Sequence, residues 1–281
     1  MRIGLIIPVR PPEPFLDDAL RSALGQEPPP DEHVVVHDER RRGPAATRDE
    51  GLTRLGGCDW IALLDSDDAW EPGKLAAQVE ALDRYPEAVV CFGRATAVGE
   101  GGEPTGEPLP ELRAGLWTAD ELAPVLYESN PIPTSSVLVR REALVAAGGF
   151  AGPAPLASDW DLWLRLVARG GAFVCAPDAR IRYRRHAGGV TADVAALAES
   201  IAKVHAAHAA LVDDAVRTRA EASDLVLLAR GRIRQRRYAE AAEALRRADA
   251  LAPLGRRERL LLALVRVPGL RAALGRRAPY R

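Results

Sequence analysis

Two kinds of hydrophobic pattern alternate along the first hundred residues. "RIGLIIPV" is a near-continuous apolar run closing at Pro8 and Val9, which predicts a strand. In "EPFLDDALRSALGQ" the apolar positions Phe15, Leu16, Ala19, Leu20, Ala23 and Leu24 recur at helical spacing. The alternation repeats. "EHVVVHDE" reads as a strand and "GPAATRDEGLTRLGG" as a helix with glycines near both ends. "CDWIALLD" reads as a strand, and "PGKLAAQVEALDRYP" as a helix that opens on Pro72 and closes before Pro86. "EAVVCFGRATAV" is a fourth strand. Such alternation predicts a parallel, helix-flanked sheet, and ligands of such sheets sit outside the carboxyl ends of the strands. Those ends are Pro8-Val9-Arg10, His37-Asp38-Glu39 and Asp65-Ser66-Asp67-Asp68.

Beyond residue 98 the pattern loosens. Residues 99–116, rich in Gly, Pro and Glu, predict a mobile loop. "TSSVLVRREALVAAGGF" predicts a strand and a short helix closed by Gly148-Gly149. "SDWDLWLRLVARG" predicts a helix with Leu162, Trp163 and Leu166 on its apolar side, capped by Ser158 or Asp159. "AFVCAPDARIRYRRH" predicts two short strands ending at His186, and from Asp193 onward the pattern is helical.

Charge changes this picture more than composition does. The formal charge of the whole chain is −1, but residues 1–220 carry 23 Lys/Arg against 33 Asp/Glu, and residues 221–281 carry 15 against 6. An acidic body suits cation chemistry, and a basic tail suits either an anionic partner or plain solvation. No nucleic-acid partner is expected. Cys58, Cys91 and Cys175 lie far apart among apolar neighbours, which predicts buried free thiols in a reducing compartment. The N-terminus runs straight into a strand, and no apolar run approaches the ~18 residues a membrane span needs. A cytoplasmic protein is expected, peripheral at the inner membrane face at most.

The acidic turn carries the chemistry. Three carboxylates within four positions repel one another unless something positive sits among them. A D-x-D turn after a buried strand can hold a divalent cation by hard oxygen ligands, and such a cation can bridge the phosphates of a nucleotide diphosphate. Alone the motif is weak, because short acidic clusters are common in loops.

The succession "IIPV", "VVVHDE", "TRDEGL", "LLDSDD", "NPIPTSSVLVRREALVAAGGF", "SDWDLWLRL" and "YRRH" resembles the family 2 glycosyltransferases, over residues 3 to about 190. The resemblance implies an α/β GT-A fold: a mixed, mostly parallel sheet flanked by helices, over residues 1–215. A small all-α region, residues 216–281, follows. It also implies inverting transfer of a sugar from a nucleotide diphosphate sugar, with uridine the usual base, dependent on Mn²⁺ or Mg²⁺. By position, Asp67, Asp65 and His186 are implied as metal ligands. Pro8, Val9, Arg10, Asp38, Arg48, Asp65, Ser66 and Asp68 are implied at the nucleotide sugar. Asp159, in "SDWDLW", is implied as the base that takes the acceptor's proton.

Some positions depart from the family pattern. His37 and Glu39-Arg40 replace the acidic residue and Gly-Ser usual after the second strand, Arg10 replaces an aromatic, Asp49 an Asn and Ser158 a Glu. These bear on base recognition and the acceptor side, and they leave room for a degenerate transferase acting as a scaffold. A sugar-phosphate nucleotidyltransferase would need a Gly-rich phosphate loop after the first strand, unlike "PVRPPEPF".

Plainer roles stand beside these. Asp159 can be only a helix cap, and His186 only a strand-end residue. Thr134 to Ser136 can line an acceptor pocket or begin a strand. Trp160 and Trp163 can form a platform, although Trp163 suits the core better. Asp161 suits a structural role, facing solvent or an arginine, while His205 and His208 read as surface residues.

In the tail, Tyr238, Ala241, Leu245, Ala248, Leu251 and Pro253 sit at the spacings of a tetratricopeptide repeat's second helix, with Gly231 in its first. One hairpin can pack on the body or pair with a second subunit as a homodimer. The basic amphipathic stretch over residues 254–281 suits an anionic membrane surface, or a cap on the hairpin. The acceptor is not legible.

Overall fold

The computed structural model describes residues 1–186 and 193–266. The chain divides into two compact units, Met1–Ala187 and Gly188–Arg281. The expected division near residue 215 is replaced by one at 187/188 because the helix Val194–Ala207 packs with the helices that follow it.

In the first unit the strands are β1 (Ile3–Val9), β2 (Glu32–His37), β3 (Trp60–Leu63), β4 (Ala69–Trp70), β5 (Ala88–Val98), β6 (Gly115–Trp117), β7 (Leu138–Arg140) and β8 (Ala172–Arg184). Six helices separate them: α1 (Leu16–Leu24), α2 (Pro44–Arg54), α3 (Lys74–Arg84), α4 (Ala119–Glu128), α5 (Arg141–Ala146) and α6 (Ser158–Ala168). The sheet is mixed, with order β2-β1-β3-β7-β5-β8-β4 and β6 paired to β8. Parallel pairing joins β1 to both β2 and β3, and β5 to β8. Val9 lies opposite His37 and Ile6 opposite Leu63, so three carboxyl ends open on one edge.

Burial explains the strands. Leu5, Ile6, Ile7, Ile61, Ala62, Leu63 and Leu64 are all fully enclosed, as central strands covered on both faces require. Cys58, Cys91 and Cys175 are free and buried, as their neighbours predict.

Three expectations change. The segment read as two short strands before His186 is one strand, β8, which passes a register shift against β5 between Phe92 and Arg94. There Gly93 is required, since a Cβ would stand 1.6 Å from the Ala179 carbonyl oxygen. Helix α6 is capped by neither Ser158 nor Asp159: Ala157 is its N-cap residue, with no side-chain cap bond, so Asp159 is free for other partners. The loop after residue 98 contains β6 and leads into α4, whose Thr118 and Glu121 form a capping box that the T-x-x-E spacing encodes.

The second unit comprises α7 (Val194–Ala207), α8 (Asp214–Arg234), α9 (Tyr238–Leu251) and α10 (Arg256–Arg266). Asp193 caps α7 through the backbone N–H groups of Ala195 and Ala196, and Asp213 caps α8 through that of Val216. Helices α8 and α9 form the expected hairpin around Ala229, Ala241, Leu245 and Ala248. His205 and His208 are buried rather than on the surface; His205 Nδ1 pairs with Asp224 Oδ2 at 2.7 Å across α7 and α8. Among the described residues no helix is long and apolar enough to cross a membrane. The end of the basic stretch, residues 267–281, lies outside the described residues.

Candidate functional site

The acidic turn leaves β3 at the open edge of the sheet, and its three carboxylates meet different partners. Asp65 receives the Arg48 guanidinium at 2.5 Å. Asp67 faces the His186 imidazole, Oδ2 to Nε2, at 2.9 Å. Asp68 points inward and is 2% exposed; it accepts the Ser135 hydroxyl at 2.6 Å and the Arg184 backbone N–H at 2.9 Å. Asp68 is thereby part of the framework, with both oxygens engaged by the protein. Burial first, then Asp67 and Asp65, hold its carboxyl well above the usual range. Burial and the Asp65 charge also raise Asp67, against the lowering influence of His186.

Arg184 is the second cation under the turn. It donates to the Asp67 carbonyl at 2.8 Å, to the Glu100 carbonyl at 2.7 Å and to Asp18 at 2.7 Å, and it stacks 4.5 Å from the Phe15 ring centroid. The charge cluster in the sequence is therefore met partly from within, by Arg48, His186 and Arg184.

A short 3-10 turn, Thr134–Ser136, joins this edge to α6. Ser135 Oγ accepts the Asp65 backbone N–H at 3.0 Å while donating to Asp68, and its carbonyl accepts Trp70 Nε1 at 2.8 Å. The neighbouring Thr134 hydroxyl donates to Asp159 Oδ2 at 2.8 Å, and Asn130 Nδ2 reaches the same oxygen at 3.1 Å. Two adjacent residues thus tie the acidic turn and Asp159 into one arrangement. Gln78 anchors the turn from beneath, donating to the Ser136 and Cys91 carbonyls.

Arg48 occupies the space among the carboxylates and is 5% exposed. Burial opposes its charge, but Asp65, Asp159 and Asp67 outweigh that and raise its pKa. Its Nε is a buried donor with no partner among the described residues. The Phe150 ring lies under it, 5.7 Å from the guanidinium carbon to the ring centroid. Asp49, one residue on, accepts the Phe150 backbone N–H at 2.7 Å. Gly149, at φ +72°, makes room for this, because a Cβ would lie 2.4 Å from Asp49 Oδ1. Arg165 closes the same corner through Asp161 at 2.9 Å and the Gly149 carbonyl at 2.8 Å, so Asp161 faces an arginine as expected.

The remaining predicted residues lie at the ends of β1 and β2. Asp38 is buried and spends both oxygens on the backbone N–H groups of Arg42 (2.8 Å) and Gly43 (2.7 Å), shaping the entry to α2. A cavity of about 240 Å³ opens beside it, lined by His37, Glu39, Arg40, Arg42 and Glu50. Val9 is a core residue whose carbonyl accepts the Asp38 N–H at 2.7 Å; Pro8 is half-buried and Arg10 exposed. Ser66 is half-buried in the turn. Trp160 is buried, with Nε1 donating to the Leu126 carbonyl at 2.5 Å, and Trp163 is wholly in the core, so neither forms a platform. Asn130, Ser135, Arg184 and Asp18 were not assigned to the site from the sequence. Ser135 was signalled within the Thr134 to Ser136 reading, Asn130 and Arg184 stood inside "NPIPTSSV" and "YRRH" without a role, and Asp18 carried no signal.

Asp67 Oδ2 and His186 Nε2 lie side by side, 2.9 Å apart. Among the described residues no group of three His, Cys, Asp or Glu side chains could hold a metal ion. A carboxylate oxygen and an imidazole nitrogen are ligand types that Mn²⁺ accepts, and Asp67 is raised by burial first and by the Asp65 charge second.

Comparison with known proteins bears on the family and the fold. Residues 33–145 match the family described as Glycosyl transferase family 2. An uncharacterized Mycobacterium tuberculosis protein is 37% identical over 133 residues, 47% of this chain and 36% of that protein. The pre-mycofactocin glycosyltransferase of the same species is 30% identical over 153 residues, 53% of this chain and 30% of the enzyme. The chain therefore spans about a third of the length of these relatives. Among solved structures, S. aureus TarS 1–349 with UDP-GlcNAc aligns at TM-score 0.63 and 17% identity, covering 98% of this chain and 90% of that one. The Pyrobaculum calidifontis mannosyltransferase PcManGT with GDP-Man and Mn²⁺ aligns at TM-score 0.56 and 17% identity, covering 97% and 83%. At that identity the likeness speaks to the fold. The matched segment holds Asp38, Arg48, the acidic turn and the Thr134–Ser136 turn, and the likeness to the solved structures gives the chain a GT-A fold.

Proposed function

We propose that this chain transfers a sugar from a nucleotide diphosphate sugar, with a UDP-sugar the first candidate, to an acceptor hydroxyl with inversion at the anomeric carbon. The observation that carries the reading is the Thr134–Ser136 turn, whose adjacent side chains hold Asp159 on one side and the acidic turn on the other. A donor site and a carboxylate base must be fixed relative to each other for single displacement, and this turn supplies the link.

In this reading the cavity lined by His37, Glu39 and Arg40 takes the base, next to Asp38 in the chain. Asp65 and Ser66 face the ribose, and Arg48 offers its unpaired donor to the nucleotide. Asp67 and His186 hold the divalent cation, Mn²⁺ or Mg²⁺, which when bound supplies positive charge to the departing diphosphate. Two protein donors suit a cation whose other ligands arrive with the substrate. Asp159 takes the proton as the acceptor O–H bond breaks. The new C1–O bond forms on the face opposite the leaving group, and the old C1–O electron pair leaves with the diphosphate.

Calorimetric binding of UDP and GDP, with and without Mn²⁺, tests the donor half. Metal-dependent micromolar binding is expected, lost in Asp67→Ala. A folded protein that binds neither nucleotide with metal present would overturn the reading in favour of a non-catalytic scaffold.

A further inference from the structure

We propose that Thr134 and Asn130 are positioning residues that select which oxygen of Asp159 receives the acceptor's proton. The proposal rests on Asp159 as the base, and it adds an assignment for the residues around it.

Both donors converge on one atom. The Thr134 hydroxyl and the Asn130 amide reach Asp159 Oδ2, at 2.8 and 3.1 Å, and no other hydrogen bond reaches this carboxylate among the described residues. An ionised carboxylate only accepts, so the Thr134 hydroxyl must be the donor. The Asn130 amide is oriented by the chain itself: Ile132 N–H donates to Asn130 Oδ1 at 3.2 Å, which leaves Nδ2 for Asp159. Oδ2 is thereby occupied and Oδ1 is the oxygen left to accept a proton.

The cation that competes for this carboxylate is Arg48, whose charge couples to Asp159 as well as to Asp65 and Asp67. Without Thr134 and Asn130, no hydrogen bond among the described residues holds the Asp159 carboxylate away from it. A base drawn onto a guanidinium no longer faces an acceptor. The two donors therefore keep Asp159 oriented despite the attraction of the arginine that the donor side needs. The sequence shows why this control is local: Asn130 and Thr134 flank the proline-framed segment "PIP", and Ser135 ties that segment to the acidic turn.

Two measurements decide this. The first is a crystal structure of the Asn130→Ala/Thr134→Val double variant beside the wild type. Expected is an Asp159 carboxylate turned towards Arg48, with the Ser135 bonds to Asp68 and Asp65 unchanged. An Asp159 side chain in its original rotamer would overturn the proposal whatever the activity. The second is release of UDP from UDP-GlcNAc, with water as the acceptor and Mn²⁺ present, for the single variants. Thr134→Val should lower kcat roughly 10- to 100-fold, with UDP affinity unchanged, and Thr134→Ser should restore most of it. Thr134→Val turning over at the wild-type rate would refute the positioning role. So would a loss matched by weaker UDP binding, which marks a merely structural residue. Asp159→Asn separates the two readings. If it turns over like the wild type, Asp159 is not the base and the proposed mechanism fails with it. If it is inactive while Thr134→Val is not, only the positioning role fails.

Discussion

At the carboxyl ends of β1, β2 and β3 the first unit buries Asp38, Arg48, Asp68 and Arg184, with Asp161 behind them and Lys74 beneath. The second unit has no fully buried arginine among its described residues and packs α8 against α9 through small side chains, Ala229, Ala241, Ala244 and Ala248. Among its described residues the buried ionisable groups are His205, His208 and Asp224. Burying an ion costs several kcal/mol and is recovered only with close partners, so its concentration at one sheet edge marks where geometry matters more than stability. The helical unit follows the opposite rule, with an apolar seam inside and solvated charge outside.

The largest effect should come from Arg184→Ala. It removes a buried cation, leaves the Asp67 and Glu100 carbonyls without this donor and leaves Asp18 with Arg182 alone. Removing one partner of a buried pair costs about 3–5 kcal/mol, read as a shift in urea midpoint. A loss below ~1 kcal/mol would mean that the edge is less dependent on its ions than its geometry implies.

Lys74 sharpens the comparison through pH. It is fully buried, its Nζ has no hydrogen-bond partner among the described residues, and the amine sits 3.8 Å from the Trp70 ring centroid. Burial lowers its pKa from 10.5 to about 7. The folded value lies below the unfolded one, so between them the unfolded chain binds more protons and stability rises with pH. Relative to Lys74→Met, the wild type should gain on the order of 2 kcal/mol between pH 7 and pH 9. A constant difference between the two proteins across that range would show that this amine does not titrate there.

The smallest effect belongs to the second unit. Arg230 pairs with Glu258 at 3.0 Å, with the arginine side chain 51% exposed. Arg230→Ala should change stability by no more than about 0.5 kcal/mol, since screened surface pairs contribute little. A loss comparable to that of Arg184→Ala would erase the contrast between the units.

Much of this was legible in advance, for identifiable reasons. Strands β1, β2, β3 and β5 announced themselves because buried strands are apolar runs, and α1 because its face repeats at helical spacing. The acidic turn was legible because three carboxylates in four positions need an answer. Helix α4 was not predicted, although its T-x-x-E capping box stands in the sequence. The continuity of β8 was not, because its bulge depends on the Ala179 carbonyl of the same strand crossing Gly93 of another.

By itself, the order of apolar and polar residues determined the elements, the open edge where the strands end, and the residue types gathered there. Local periodicity and composition act within a few residues, and they are written in the chain. Tertiary structure alone decided the partners. Asp65 meets Arg48, Asp67 meets His186 and Asp68 meets Ser135, although the three carboxylates are neighbours in sequence. It also buried His205 against Asp224 and turned Asp159 from a helix cap into a free carboxylate with two donors on one oxygen. Such pairings join residues tens of positions apart. They depend on how strands register and helices pack, and no pattern in a single stretch encodes them.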